Sequence, residues 1–337
     1  MRATWLTAFA ACWAFGGLNP GAAAAEGWHP ARIDALVREI PALLQEYDVP
    51  GVAIALTSGP RVQWSAGFGW TGRPGVAVTP RTVFQVASLG KPVFAHLVDS
   101  VAAERDWELG DPVHLWSPGV ANPRGRGALA AEELLSHTSG LWYDAARDQV
   151  VLETAMRGKW RYSGAGYALL QRALEAAEGR SLEELSESIL FAPLGLRTMS
   201  YVAPEGEEHA VGHDRQGNAL AALDSDTANA ASSLYASAQD YAQFLVVASG
   251  LDGGDARAWM RLTQVQATVE QTLGMYWGIG WAVERDPDGH HTAFHWGSNP
   301  GFKSFALLDP ERRLGLVILT NGDHGLELAQ RVVGILD

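Results

Sequence analysis

A serine with a lysine three residues on, Ser88-Leu89-Gly90-Lys91, is the pair in this sequence best suited to covalent chemistry. At the start of a helix, residues i and i+3 share a face, which would set the ammonium beside the hydroxyl. A serine hydroxyl is a weak nucleophile until a base takes its proton, and a lysine desolvated in a cleft can have a pKa low enough to help. The helix N-terminus also leaves N–H groups unpaired near the serine, where an oxyanion would develop. Standing alone, the pair is more simply an N-capping serine and a surface lysine. Its context has to decide.

Downstream, in order, come Leu134-Leu135-Ser136-His137-Thr138-Ser139-Gly140-Leu141, then Tyr162-Ser163-Gly164-Ala165-Gly166-Tyr167, then His295-Trp296-Gly297-Ser298-Asn299-Pro300-Gly301-Phe302. With these segments the sequence resembles the serine β-lactamase-related family, in the branch of class C β-lactamases, DD-peptidases and family VIII esterases. Pro193-Leu194-Gly195-Leu196, Ala231-Ser232-Ser233-Leu234-Tyr235-Ala236 and Leu319-Thr320-Asn321 extend the likeness over nearly the whole chain after the first 25 residues. The resemblance implies that Ser88 attacks an acyl carbon and that Lys91 and Tyr162 manage its proton. In that scheme the tyrosine is the general base, its phenol held near positive charge that favours the phenolate. It implies that His295, at a Lys/His-x-Gly position, points into the cleft from a strand, with Gly297 facing the same way. Gly297 would let substrate backbone approach closely. The backbone N–H groups of Ser88 and Ser298 would form the oxyanion hole. Without these companions, Tyr162 would read as a core tyrosine and His295 as a buried, hydrogen-bonded histidine.

Two positions depart from the pattern. Gly164 stands where relatives acting on β-lactams or peptides usually carry an asparagine that grips the acylamide. Trp296 stands where a small hydroxyl residue often helps bind a carboxylate. Sites that lose a polar partner lose discrimination for the groups it held, so both changes point away from efficient β-lactam turnover and toward esters. His137 reads as a structural hydrogen-bonding residue near the end of a helix that Gly140 closes, rather than as a base. Gly67-Phe68-Gly69-Trp70-Thr71-Gly72 matches a dinucleotide fingerprint by letter, but Arg73-Pro74-Gly75 follows where a helix should begin. His209 and His213, and the trio His290, His291 and His295, lack the acidic partner and uninterrupted spacing of a metal site. No cofactor or metal is expected. Trp64, Trp70, Trp277, Trp281 and Trp296 could line an aromatic cleft, though most suit a core.

The elements that must hold these residues follow from periodicity. Residues 31–46 predict an amphipathic helix, with Ile33, Leu36, Val37, Ile40, Leu43 and Leu44 at helical spacing. Strands at 52–57 and 61–69 flank the turn Ser58-Gly59-Pro60, and a helix is predicted from Ser88 to Glu104. Between 105 and 245 the chain turns to Ala, Leu and Glu, with helical blocks at 128–135, 165–178, 181–190 and 237–248. Ser181 with Glu184 forms a capping box and Ser237 an N-cap. Strand patterns return at 278–284, 292–296, 303–308 and 314–320, and a helix closes the chain at 325–336. The expected fold is an α/β (α+β) domain of the β-lactamase/transpeptidase-like kind: an antiparallel sheet flanked by helices, with an inserted all-α lobe. The sheet lobe would comprise 26–104 and 246–337, the helical lobe 105–245, and the site would lie in the groove between them.

Bulk properties narrow the function classes. The 337 residues are 47% hydrophobic and 19% charged, as in a globular protein. The net charge of −13, with lysine only at 91, 159 and 303, excludes the basic stripe that nucleic-acid binding needs. Arg2, the apolar run 3–18, the breaker Asn19-Pro20-Gly21 and Ala23-Ala24-Ala25 read as a signal peptide cut after Ala25. A periplasmic or secreted location follows, without a retained membrane span. Cys12, the one cysteine, would leave with it, so covalent catalysis must use oxygen or nitrogen. The reading is an exported serine hydrolase cleaving a small ester, amide or peptide through a Ser88 acyl-enzyme. A DD-carboxypeptidase or D-amino-acid peptidase is the nearest alternative, a weak β-lactamase the next, and a penicillin-binding sensor or inactive scaffold the non-enzymatic one.

Overall fold

The computed structural model describes residues 27–337 except 117–127, 205–208, 222–225, 254–256 and 287–288. The expected signal peptide, 1–25, lies outside the described residues. Helix α1 (Pro30–Glu46) opens with Pro30 at its first position and the His29 ring accepting from the Ala31 N–H. Strands β1 (Gly51–Ser58) and β2 (Arg61–Gly69) form the predicted hairpin. The short β3 (Val83–Ala87) then leads through Ser88 and Leu89 into α2 (Gly90–Glu104).

The middle of the chain carries α3 (Val113–Trp116), α4 (Ala131–Leu135), the hairpin β4 (Leu141–Asp144) and β5 (Gln149–Leu152), and α5 (Gly164–Glu178). Next come α6 (Leu182–Ser186), continued by a π-helical turn over Glu187–Phe191, and α7 (Ala192–Leu194). Strand β6 (Leu234–Ser237) pairs with β3, and α8 (Ala238–Ala248) starts on the Ser237 cap. Helix α9 (Arg257–Leu262), strands β7 (Ala267–Glu270), β8 (Met275–Trp277), β9 (Ala282–Arg285), β10 (His291–Asn299), β11 (Phe302–Asp309) and β12 (Leu314–Thr320), and helix α10 (Gly325–Leu336) complete the chain.

The main sheet runs β2-β1-β12-β11-β10-β9-β8-β7, antiparallel throughout, so both ends of the chain build it. Period-two alternation sorts its side chains. Val52, Ile54, Leu56, Phe294, Leu316 and Ile318 face α1 and α10 in one core. Ala53, Ala55, Ala293, Ala306, Val317 and Leu319 face the other, around α2 and the inserted segment. Helix α2 is buried along nearly all its length, from Gly90 to Ala102.

Three details correct the expected fold. The inserted lobe is not all-α, because β4 and β5 pair within it and β6 pairs with β3. Helix α8, placed with that lobe for most of its length, packs instead on β1, β2 and β12. Of the strand expected over 278–284 only the end forms, within β9, and residues 278–281 turn between β8 and β9. Gly280 there has φ +84°, and a Cβ on it would lie 2.5 Å from that of Ala95. The turn exists because the chain must pass directly over α2. A one-dimensional pattern carries no trace of that crossing.

Candidate active site

Ser88 sits in the turn ahead of α2, not in the helix and not as its cap. The N-cap is Leu89, without a side-chain cap bond. Ala87 just before it has φ +52°, a left-handed conformation that a residue with a Cβ adopts at a cost of roughly 1–3 kcal/mol. This bend follows from the β3–β6 ladder, whose register slips between Gln85 and Ala87. The part-exposed Ser88 is thereby presented with its backbone N–H free of any partner among the described residues.

Lys91 is only 2% exposed, and its Nζ lies 2.9 Å from Ser88 Oγ and 2.6 Å from the Ala231 carbonyl oxygen. Among the described residues no carboxylate pairs with it. Burial therefore lowers its pKa from 10.5 to about 7, so both protonation states are populated near neutrality. When neutral, Nζ can keep an N–H on Ala231 and turn its lone pair to the serine. The Ala231 carbonyl is a participant that side-chain reasoning passes over, because a backbone acceptor has no sequence signature.

Tyr162 lies just before α5, whose cap is Ser163, accepting from the Gly166 N–H. The lysine Nζ stands 4.9 Å from the centre of the Tyr162 ring. The expected shift of this phenol is nonetheless reversed. Burial pushes its pKa up, and contact with the Ser88 hydroxyl opposes this only in part. The physical reason is desolvation: a phenolate taken out of water costs more than the neutral phenol.

His295 is fully buried on the same face of β10 as Ala293, as the alternation requires. Its ring centre lies 6.3 Å from that of Tyr162 and 5.5 Å from that of Trp277. Nδ1 donates to the Trp296 carbonyl oxygen at 2.8 Å, which leaves Nε2 as a buried lone pair without a partner among the described residues. Burial, then the nearby Lys91, lowers its pKa to about 3, so the ring is neutral near neutrality and Nε2 can accept a hydrogen bond.

Beyond His295, β10 has no β9 partner, since that pairing stops at Phe294. The turn Pro300-Gly301 closes on the Asn299–Phe302 pair, so the ladder's alternation aims the Ser298 N–H at this open edge. Gly297 serves a different close approach from the one expected. A Cβ there would lie 2.2 Å from both the Val86 carbonyl oxygen and Ser304 Oγ, so its bare face admits β3, not substrate. Gly164 is the opposite case: a Cβ would meet only the Ala231 Cβ, at 3.5 Å. Trp296, on the other face of β10, stacks at 22° on Tyr162 with ring centres 6.3 Å apart.

The remaining candidates fall elsewhere. His213 is buried with Nδ1 on the Asn321 carbonyl, and His290 lies between Asp309 and Glu311. Trp70 is 57% exposed and Trp281 is core. The residues 67–72 run from β2 into a turn where Trp70 bridges Ala77, with no helix following. Among the described residues no group of three or more His, Cys, Asp or Glu side chains is arranged to hold a metal ion.

An antiparallel sheet between terminal helices and an inserted segment, with a serine heading a buried helix, is the architecture of the β-lactamases and transpeptidases. A family model described as Beta-lactamase matches residues 33–333, and the chain belongs to that family. It is 29% identical over 320 residues to Penicillin-binding protein 4 of Amycolatopsis lactamdurans, covering 83% of each chain. Solved structures similar in fold include a β-lactamase/D-alanine carboxypeptidase from Pseudomonas syringae, with a TM-score of 0.77, 19% identity, and coverage of 91% of this chain and 98% of that one. A class C β-lactamase from Rhodobacter sphaeroides has a TM-score of 0.73 at 22% identity, over 90% of this chain and 98% of its own.

Proposed function

We propose that the protein is a serine hydrolase that cleaves an ester, in preference to an acylamide, through a Ser88 acyl-enzyme. The observation that carries this is the Lys91 Nζ, buried with no carboxylate beside it among the described residues and 2.9 Å from Ser88 Oγ. Neutral Lys91 takes the Ser88 proton as Oγ bonds to the acyl carbon, and the N–H groups of Ser88 and Ser298 receive the oxyanion. The carbon–oxygen bond to the leaving group then breaks. The Tyr162 hydroxyl protonates the departing alkoxide and is reprotonated by the Lys91 ammonium. Water then attacks the acyl carbon as neutral Lys91 takes its proton, the carbon–Oγ bond breaks, and Lys91 returns the proton to Oγ, freeing Ser88 and the acid. No cofactor enters these steps.

The preference for esters rests on Gly164, which offers no amide to hold an acylamide, and on Trp296, whose indole covers the neighbouring wall. Small acyl esters are the proposed partners, with no nucleic acid. Export follows if residues 1–25 are a leader cut after Ala25, which N-terminal sequencing of the mature protein would read as a start at Glu26.

A fluorophosphonate should add one adduct mass that Ser88→Ala abolishes; an adduct that survives in Ser88→Ala, or none in the parent, refutes the acyl-enzyme. Turnover of short esters, D-Ala-D-Ala peptides and a chromogenic cephalosporin then ranks substrates. Faster peptide than ester turnover would overturn the ester assignment in favour of a cell-wall peptidase.

A further inference from the structure

His137 reaches Tyr162 from both sides along the chain. Its carbonyl oxygen accepts from the Arg161 N–H at 2.9 Å, and its ring Nδ1 accepts from the Ser163 N–H at 3.1 Å. The residues on either side of Tyr162 thus each donate their N–H to one histidine. Between them the imidazole lies against the phenol ring, centres 4.4 Å apart. Trp277 and Tyr167 back the imidazole at 5.0 and 5.3 Å, and the Tyr167 hydroxyl donates to the Leu135 carbonyl at the end of α4.

We propose that His137 is the positioning residue of Tyr162, holding the phenol in the pose that proton delivery to the leaving group requires. Which proton delivery is meant rests on the function proposed above; the clamp itself does not. His137 has φ +61°, in the left-handed region that histidine and asparagine enter more readily than most residues. That bend turns its carbonyl and its ring toward the same three residues, 161–163. A histidine present only to fill the core would need neither the bend nor a ring nitrogen aimed at a backbone donor.

The ring must be neutral to accept at Nδ1, since imidazolium donates from both nitrogens. Burial, with Lys91 and His295 nearby, keeps its pKa well below the ordinary 6.5. Its Nε2 then carries the proton and finds no partner in the protein among the described residues. The same Ser163 whose N–H it binds caps α5 through its side chain. Tyr162 is therefore fixed between a clamp on one element and the first turn of another.

Two substitutions separate positioning from filling. His137→Asn keeps an acceptor near the Nδ1 position and tolerates the left-handed backbone; His137→Phe keeps the ring volume and loses both. His137→Phe should lower kcat about 100-fold with KM nearly unchanged, the scale of a misplaced catalytic group. His137→Asn should recover most of that loss. The second readout is the Tyr162 ionisation, taken as the tyrosinate absorbance difference against Tyr162→Phe over the pH range where circular dichroism shows the fold intact. A freed phenol in His137→Phe should ionise at lower pH than in the parent, and His137→Asn should follow the parent.

If His137→Phe leaves kcat and the Tyr162 ionisation in place, or if His137→Asn is as impaired as His137→Phe, the proposal is overturned. Should the parent form no adduct at Ser88, the acyl-enzyme reading fails. The ionisation series then still decides whether His137 positions Tyr162.

Discussion

A lysine destabilised by burial answers to pH in a way that a surface lysine does not, and Lys91 sets the first prediction. Acylation needs its neutral form, so kcat/KM should rise as pH climbs through about 7. Lys91→Met should cost roughly 10²–10⁴-fold, the usual contribution of a positioned base. Lys91→Arg should not rescue it, because guanidinium keeps its proton. Stability moves in the same direction, over a higher window. Between about 7 and 10.5 the unfolded chain binds a proton that the folded Lys91 does not, so stability rises with pH across that window. Lys91→Met removes this penalty and should melt a few degrees higher than the parent at pH 6, with less gain at pH 9. Scanning calorimetry at the two pH values checks it. A flat pH–rate profile together with an unchanged melting temperature would mean that Lys91 keeps an ordinary pKa.

Two glycines on different elements test how β10 and α5 hold the site. At Gly297 the space is already taken by Val86 and Ser304. Gly297→Ala must push β10 from β3, the strand that ends at the nucleophile's turn. It should destabilise by about 1–3 kcal/mol, as overpacking does, and slow adduct formation at Ser88. Gly164 has open space, a backbone outside the left-handed region and the first position of α5. Gly164→Ala should stabilise by about 0.4–1 kcal/mol by restricting the unfolded chain, and it should leave ester turnover largely intact. Denaturant melts of both variants give the comparison; equal effects would mean that β3 does not abut Gly297 as described. The His295 and Gly297 side of β10 was legible from strand alternation alone. What Gly297 makes room for was not, since β3 lies more than 200 positions earlier in the sequence.

Across the whole molecule, the first and last described helices close on each other. Arg32 of α1 donates to the Ile335 and Asp337 carbonyls, and Leu328, Val332 and Leu336 of α10 share a core with Leu36 and Ile40 of α1. Ending the chain at Asp323 should abolish cooperative unfolding, because that apolar face of the sheet loses its cover; a sharp thermal transition in the truncated protein would refute this. The buried histidines add a pH limit to the fold. His295, folded at about 3, does not take the proton that its unfolded form takes near 6.5, and His137 is shifted in the same direction. Stability should therefore fall as pH drops from about 6.5 toward 3, and less steeply in His295→Gln. Melting temperatures at pH 7, 5 and 4 for both proteins would show it.

Residue type and order determined the hairpin β1–β2, the caps at Ser181 and Ser237, the antiparallel sheet built from both termini and the grouping of Ser88, Lys91, Tyr162 and His295. The hairpin, the caps and the sheet rest on local periodicity and capping, and the grouping on the family resemblance that the ordered motifs carry; neither needs knowledge of distant neighbours. Tertiary structure alone decided the break at Gly280, the use of Gly297, the Ala231 carbonyl beneath Lys91 and the hold of His137 on Tyr162. Packing also set two pKa values: burial lowers that of the Lys91 ammonium to about 7 and raises that of the Tyr162 phenol. Desolvation belongs to the assembled core, so no spacing of letters could have set it.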